Sequence, residues 1–151
     1  MRALTQSECQ EWCRSHQIPL DHRGLPLIPD DVLPMFNIPS DAGQRVAMTR
    51  NHFEPMRGSD EVLIWIEDWG VWPSGEHMPM FTRFREALGI RGGLIDRRGH
   101  LVREEQFEDG LSVIAFAALF LWDCYILPSS GRDFVFYSHD EVGYRRTESN
   151  G

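Results

Sequence analysis

The chain has 151 residues, of which 42% are hydrophobic and 25% charged, so its composition is that of one soluble globular domain and excludes a disordered or fibrous chain. Its 23 acidic and 15 basic side chains give a net charge of −8, which argues against a duplex nucleic-acid binder, because such proteins need a basic face. All the basic side chains are arginine, so reactions that depend on a lysine amine are excluded.

The first predicted element is a helix that begins after Thr5. Thr5 and Glu8 have the spacing of a capping box, in which each side chain accepts a hydrogen bond from the other residue's backbone. One face of this helix carries Cys9, Trp12, Cys13 and His16. Two thiols and an imidazole could bind zinc, but a fourth ligand is missing and free cysteine usually packs as a small apolar residue. We therefore predict that this face is core, with no metal and no other cofactor.

The N-terminus and the cysteine count indicate the compartment. Residues 1–8 contain no long apolar stretch, so a signal peptide is not predicted. Three cysteines without a disulfide framework fit a reducing compartment. The longest apolar run, residues 113–122, is about half of the roughly 20 residues needed to cross a bilayer. These features predict a cytoplasmic protein without a membrane segment.

The next part of the chain is rich in proline. Five prolines between residues 18 and 39 are too many for a regular helix, so we predict extended structure there, with a turn at Asp30 and Asp31. Residues 41–43 resemble a second turn. This turn leads into a predicted strand over residues 45–50, where apolar and polar side chains alternate.

The clearest predicted strand covers residues 62–69, with even-numbered apolar residues on one face and odd-numbered ones on the other. A turn over residues 70–75 follows. A helix then begins at about Glu76 or Pro79 and ends at Leu88, where a glycine stops it.

The C-terminal half contains the longest predicted helix, over residues 104–121, preceded by a short strand and loop over residues 92–102. Its apolar positions at helical spacing are Leu111, Ile114, Ala115, Ala118, Leu119 and Trp122. We expect residues 113–122 to be buried in the same core as the apolar face of the first helix. An unpaired carboxylate is costly to bury, so Ala115→Asp is expected to unfold the domain.

The chain ends in a predicted hairpin, because residues 124–127 and 133–137 flank a short turn rich in serine, proline and glycine. The chain after Gly143 is polar, and residues 145–151 are predicted to be a frayed tail. No repeat or linker interrupts the sequence. We therefore predict a single α+β domain over residues 1–151, with a mixed or antiparallel sheet, two to three packed helices and this C-terminal hairpin.

The most distinctive segment is residues 65–77, which holds three of the five tryptophans beside carboxylates and a histidine. Tryptophan is enriched in binding hot spots, so this segment is a candidate protein-binding surface. The candidate binding residues are Glu67, Asp68, Trp69, Trp72, Glu76 and His77. Trp65 points into the sheet and belongs to the core. The alternative is that all these rings close the end of the sheet against the helix that follows, and the sequence leaves both possibilities open.

An arginine-rich segment follows this one. Six arginines fall within 21 residues: Arg83, Arg85, Arg91, Arg97, Arg98 and Arg103. Guanidinium groups suit phosphate or carboxylate ligands, so an anion site is conceivable. Acidic residues are interspersed and can pair with several of these arginines, which favours a solvated surface of mixed charge.

A second group of candidates lies near the C-terminus, where His139 and Asp140 follow the hairpin and Asp123 precedes it. A histidine with neighbouring carboxylates could act as a general base or bind a metal, and His100 could join through the fold. Adjacent residues on a strand point to opposite faces, so residues 138–141 are not expected to converge completely. The chain contains no HExxH, G-x-S-x-G or CxxC motif.

Several strings in the chain resemble a group of uncharacterised bacterial proteins. They are IPSDAGQRVA at residues 38–47, WGVWPS at 69–74, GHL at 99–101, WDCY at 122–125 and SHDE at 138–141. The resemblance spans most of residues 38–141 and implies no particular activity. In composition the chain is also similar to small acidic immunity proteins that neutralise bacterial toxins, and this similarity implies a basic protein partner.

The predicted function is a non-catalytic, acidic protein-binding module that engages a basic protein, and it is immunity-like if that protein is a toxin. Neither nucleic acid nor a membrane is an expected partner. The alternative is a small metal-assisted or acid–base hydrolase that uses His139, Asp140, Asp123 and His100. A structural subunit of a larger assembly is a third option. The first two differ in whether the histidines and carboxylates converge in a cleft or line an open face.

Overall fold

Seven strands form one antiparallel sheet in the computed structural model, which describes residues 1–28, 35–69 and 77–146. In chain order the strands are β1 (Arg2–Leu4), β2 (Met35–Asn37), β3 (Val62–Asp68), β4 (Gly99–Val102), β5 (Asp123–Pro128), β6 (Phe134–Tyr137) and β7 (Val142–Arg146). Their order across the sheet is β1-β4-β3-β5-β6-β7-β2, so β1 and β2 are the edge strands. The predicted α+β class is confirmed, and the sheet is antiparallel.

The described residues form four helices, one more than the two to three that were predicted. They are α1 (Gln6–Ser15), α2 (Ala42–Phe53), α3 (Met78–Ala87) and α4 (Phe107–Leu119). Helix α1 packs on one face of the sheet, whereas α2, α3 and α4 contribute to the core on the other face. Short 3₁₀ turns follow α2 at Glu54–Met56 and precede α4 at Glu104–Gln106.

The alternation of side chains along β3 divides the core in two. Even-numbered residues such as Ile64 face the larger core with α2, α3 and α4, and odd-numbered residues such as Trp65 face the smaller core with α1. Cys9 and Cys13 are fully buried in the smaller core. The prediction that they share one core with residues 113–122 is therefore wrong, because the sheet lies between the two groups.

The predicted ends of α1 and α3 are confirmed by their local geometry. The backbone N–H of Thr5 donates to Oε2 of Glu8 at 2.7 Å, and the N–H of Glu8 donates to Oγ1 of Thr5 at 3.2 Å, which is the capping box. Helix α3 ends before Gly89, whose φ of 77° lies in the left-handed region that favours glycine. The predicted hairpin is also present, as β5 and β6.

The predicted strand over residues 45–50 is wrong, because these residues belong to α2. The preceding Asp41 caps this helix by accepting a hydrogen bond from the N–H of Gln44 at 2.8 Å. Only Thr49 and Phe53 of α2 are buried, so the apolar periodicity of a helix is weak in this segment. Val46, which suggested a strand face, is 44% exposed. The capping aspartate indicated a helix more strongly than the alternation of side chains indicated a strand.

The burial predicted for residues 113–122 is only partly correct. Val113, Ile114, Ala117, Ala118 and Trp122 are buried, whereas the remaining residues of this run are half-buried. A helix on the surface of a sheet must expose one side, and an apolar run does not say which side that is. The half-buried residues include Ala115, which was predicted above to be a core position, so Ala115→Asp is no longer expected to unfold the domain.

The predicted frayed tail is also wrong for its first residues. Arg145 and Arg146 pair with Val135 and Phe134 of β6 as part of β7, and the guanidinium of Arg146 donates to the carbonyl oxygen of Gly131 at 2.8 Å. Residues 147–151 lie outside the described residues. The same holds for the turns predicted at residues 30–31 and 70–75.

Candidate functional site

The register of the sheet brings separate acidic residues to one end of the strands. Asp68, the last residue of β3, pairs with Asp123, the first residue of β5, after a β-bulge that follows Ile66. His139 and Asp140 lie in the turn between β6 and β7, and β6 is the other neighbour of β5. We call Asp68, Asp123, His139 and Asp140 the acidic end.

The ring of His139 lies between two carboxylates of the acidic end. Its Nδ1 is 2.8 Å from Oδ1 of Asp123, and its Nε2 is 3.6 Å from Oδ1 of Asp140. The backbone N–H of His139 also donates to Oδ1 of Asp123, at 2.7 Å. Asp123 is largely covered, whereas the side chain of Asp140 is 74% exposed. Asp123 thus anchors the turn, and Asp140 faces solvent.

The turn explains why His139 and Asp140 approach each other although they are neighbours in sequence. Residues 138–141 do not extend the strand: the N–H of Glu141 donates to the carbonyl oxygen of Ser138 at 3.2 Å, and Glu141 has a φ of 63°. Alternation of side chains between two faces holds only for extended backbone. The turn therefore places His139 and Asp140 together, which the assumption of a strand did not allow.

Opposing effects act on the pKa of His139. Partial burial acts to lower it, but the hydrogen bond and the charge of Asp123, followed by the charges of Asp140 and Asp68, raise it above its ordinary value. The charged imidazolium is therefore favoured at this end of the sheet. An unperturbed histidine has a pKa just below physiological pH, so a raised pKa moves its change of charge toward that pH.

His100 does not join the acidic end. It lies on β4, which β3 and β5 separate from the turn that carries His139. Its side chain is fully buried beside the ring of Phe81. Burial lowers the pKa of His100 to about 3, so this ring is neutral and cannot exchange protons with a solvent-exposed ligand.

The tryptophan-rich segment is only partly within the described residues, because Trp72 and Glu76 lie outside them. Trp65 is fully buried, as predicted. Trp69 is half-buried against the larger core, and the guanidinium of Arg98 lies 5.0 Å from its ring centre. The described part of this segment therefore combines core packing with partial exposure.

Glu67 and His77, the other described candidates of this segment, both have close partners. The carboxylate of Glu67 accepts from Nη1 of Arg98 at 3.3 Å, although burial raises the pKa of Glu67. The ring of His77 stacks on Phe120 with 3.9 Å between ring centres. The partial exposure of Trp69 beside Asp68 agrees with either of the two possibilities that the sequence left open.

The six arginines between residues 83 and 103 do not form one anion site. Arg85 is almost fully buried and donates to the carbonyl oxygens of Gly92 and Arg97 at 3.1 and 3.0 Å, so it holds the loop after α3. Arg98 pairs with Glu67, and Arg103 lies 3.5 Å from a carboxylate oxygen of Glu61. Nothing in the sequence distinguished the buried Arg85 from its exposed neighbours.

The cysteine and histidine face of α1 is occupied by packing. Burial raises the pKa of Cys13 to about 12, and it raises that of Cys9 further, so both thiols stay protonated. Nδ1 of His16 is 2.8 Å from the carbonyl oxygen of Trp12, and the two rings stack. Within residues 1–28, 35–69 and 77–146, no group of three or more His, Cys, Asp or Glu side chains could hold a metal ion.

An open groove of about 1140 Å³ lies at the other end of the sheet, where β3 begins and β5 ends. Its lining includes His16, Arg57, Asp60, Glu61, Arg103, Ser129 and Asp133. Glu61 is engaged by Nε1 of Trp12 at 3.1 Å as well as by Arg103. These residues are distant in sequence and share no motif, so sequence reasoning missed the groove.

Comparisons of the chain with protein-family models, with curated proteins and with solved structures found no match. The similarity to immunity proteins therefore stays a prediction. Within the part of the chain that the structure describes, every helix is too short or too polar to cross a bilayer.

Proposed function

We propose that this protein is a non-catalytic module that binds a basic protein through its acidic end. The observation that carries the proposal is the convergence of three carboxylates, from Asp68, Asp123 and Asp140, around one histidine. They come from β3, from β5 and from the turn before β7. A concentration of one charge sign on a rigid sheet attracts a partner of the opposite sign over a distance of about one Debye length.

Exposure and neighbouring apolar surface support this proposal. The side chain of Asp140 is 74% exposed, so a partner can reach it without rearrangement of the fold. Trp69 follows Asp68 directly and is half-buried, which leaves part of a large aromatic surface beside the charges. Charged groups around a partly exposed aromatic ring are typical of protein-binding surfaces.

The net charge of −8 adds a general electrostatic attraction for a basic partner. If that partner is a toxin with a basic active site, the acidic end would cover it and the protein would act as an immunity protein. In that case, expression of this chain should rescue the growth of cells that produce the toxin, and the Asp68→Asn/Asp140→Asn variant should not.

Neutralising two of these carboxylates tests the proposal. The partner is captured from a lysate of the native host, identified by mass spectrometry, purified, and titrated by calorimetry with wild type and with Asp68→Asn/Asp140→Asn. We expect a basic partner and a roughly ten-fold weaker affinity for the variant, because two charges that attract the partner are lost. Added salt should weaken the wild-type complex more than the variant complex.

Glu104→Gln/Asp109→Asn is the matched control, because it also removes two carboxylate charges from exposed positions. Asp109 is exposed in the first turn of α4, and α4 follows Val102, which pairs with Val62 at the opposite end of β3. The control should bind the partner like wild type. If the control variant weakens binding as much as Asp68→Asn/Asp140→Asn does, the effect comes from net charge and not from the acidic end. If Asp68→Asn/Asp140→Asn leaves the affinity unchanged, the proposal is wrong.

A second candidate function is favoured by the contact between His139 and Asp123. A carboxylate 2.8 Å from Nδ1 holds an imidazole in the orientation that a general base needs. If the protein is an acid–base hydrolase, it should turn over ester or phosphoester substrates, and His139→Gln should reduce this turnover at least about a hundred-fold. Turnover that survives this substitution would exclude His139 as the base.

A further inference from the structure

We propose that a proton on His139 weakens the binding of a cationic partner at the acidic end, because the imidazolium then pairs with carboxylates that the partner would otherwise use. This inference concerns the regulation of the proposed binding site and therefore rests on the proposed function. It makes the acidic end a pH-dependent surface, which binds more tightly as the pH rises.

The geometry places His139 where its charge acts on every carboxylate of the site. Nδ1 faces Asp123 of β5 at 2.8 Å, and Nε2 faces Asp140 of the same turn at 3.6 Å. Asp68 of β3 also interacts with the ring electrostatically. When both ring nitrogens carry protons, the imidazolium donates to Asp123 and forms an ion pair with Asp140 at the same time. The neutral ring carries only one of these protons.

Loss of the proton changes the charge of the site without releasing the turn. The backbone N–H of His139 donates to Asp123 at 2.7 Å in either protonation state, and the N–H of Asp140 donates to Oγ of Ser138 at 3.2 Å. The turn therefore keeps two backbone hydrogen bonds that do not depend on the proton of the His139 ring. The acidic end loses one unit of positive charge, which the His139 ring had carried among the three carboxylates.

The direction of the effect on stability follows from the same contacts. The carboxylates raise the pKa of His139 in the folded protein, so its charged form stabilises the fold below the ordinary pKa of histidine. This contribution is lost as the pH rises through the raised value. A cationic partner competes for the same carboxylates, so its binding should lower the pKa of His139 and release a proton.

Hexa-arginine is the probe for the test, titrated by calorimetry into the full chain. For wild type we expect the affinity to rise about three-fold between about pH 6 and about pH 8, since one unit charge a few ångströms away has an effect of this order in water. For His139→Gln the affinity should not vary over this range. His22→Gln is the matched control, because His22 is an exposed histidine that is not part of the acidic end, and it should keep the wild-type pH dependence.

A separate measurement follows the imidazole of His139 by NMR in the free protein and with hexa-arginine. Its pKa should fall when the peptide is added, and Asp123→Asn should lower it in the free protein. If the affinity for the peptide depends on Asp68 and Asp140 but not on the pH, or if His139→Gln keeps the pH dependence, this inference is wrong while the proposed function stands. If Asp68→Asn/Asp140→Asn leaves the affinity for the peptide unchanged, the proposed function fails.

Discussion

Ala117→Asp is expected to unfold the domain. Ala117 is fully buried in α4 as part of the larger core, and its carbonyl oxygen accepts the N–H of Trp122 at 2.9 Å. An aspartate at this position would bury a carboxylate among apolar side chains at a cost of about 4 kcal/mol or more. This is a large fraction of the roughly 5–15 kcal/mol by which domains of this size are stable. Circular dichroism should show loss of the cooperative thermal transition.

Ala115→Asp is the matched control on the same helix. Ala115 is half-buried, so its carboxylate can reach water, and we expect a loss of only about 1 kcal/mol in the free energy of unfolding. The two substitutions have the same chemistry and lie two residues apart, so the comparison isolates burial. Equal destabilisation by both would contradict the orientation of α4 in this fold.

Gly99→Ala is expected to destabilise the domain by about 3 kcal/mol, because this position has no room for a methyl group. Gly99 lies on β4 at the point where α1 approaches the sheet. A Cβ atom there would overlap Sγ of Cys9 and lie 3.0 Å from Cβ of Leu4 and 3.3 Å from Cδ1 of Leu63. Because Cys9 is fully buried on the side of α1 that packs on the sheet, α1 would have to move away from the sheet.

A double-mutant cycle tests this explanation by urea denaturation. Cys9→Ala removes the sulfur atom that the new methyl group would meet, at a cost of about 1 kcal/mol when made alone. Gly99→Ala combined with Cys9→Ala should be more stable than the sum of the two single losses predicts, by about 1 kcal/mol or more. If the losses in stability from the two single substitutions simply add, the destabilisation by Gly99→Ala has a cause other than contact with Cys9.

The elements with strong local signals were predictable from the sequence. The capping box of α1, the alternation along β3 and the glycine that ends α3 each identify one element from a few neighbouring residues. Helix α2 was not predicted, because its two buried residues give little helical periodicity and a short alternation suggested a strand. The assignment of α1 and α4 to different cores depends on the order of strands in the sheet, which no local pattern contains.

The candidate site was predictable in its residue types but not in its arrangement. His139, Asp140 and Asp123 stood out as possible partners, and the structure brings them together. His100 was included with them because a histidine in sequence does not reveal its burial. Asp68 was predicted as a binding residue of the tryptophan-rich segment, but the register of β3 and β5 places it at the acidic end. The pairing of strands that are distant in sequence determines where each of these residues lies in the fold.

The two edge strands have a consequence for solubility. An exposed sheet edge offers unpaired backbone groups to a second chain, and long apolar edges are sites of aggregation. Here β1 and β2 have three residues each, so each edge gives an incoming strand only a short row of hydrogen-bonding groups. The longer and largely buried strands β3 and β5 lie inside the sheet, where each is paired on both sides. Lengthening either edge strand with apolar residues should therefore promote fibril formation.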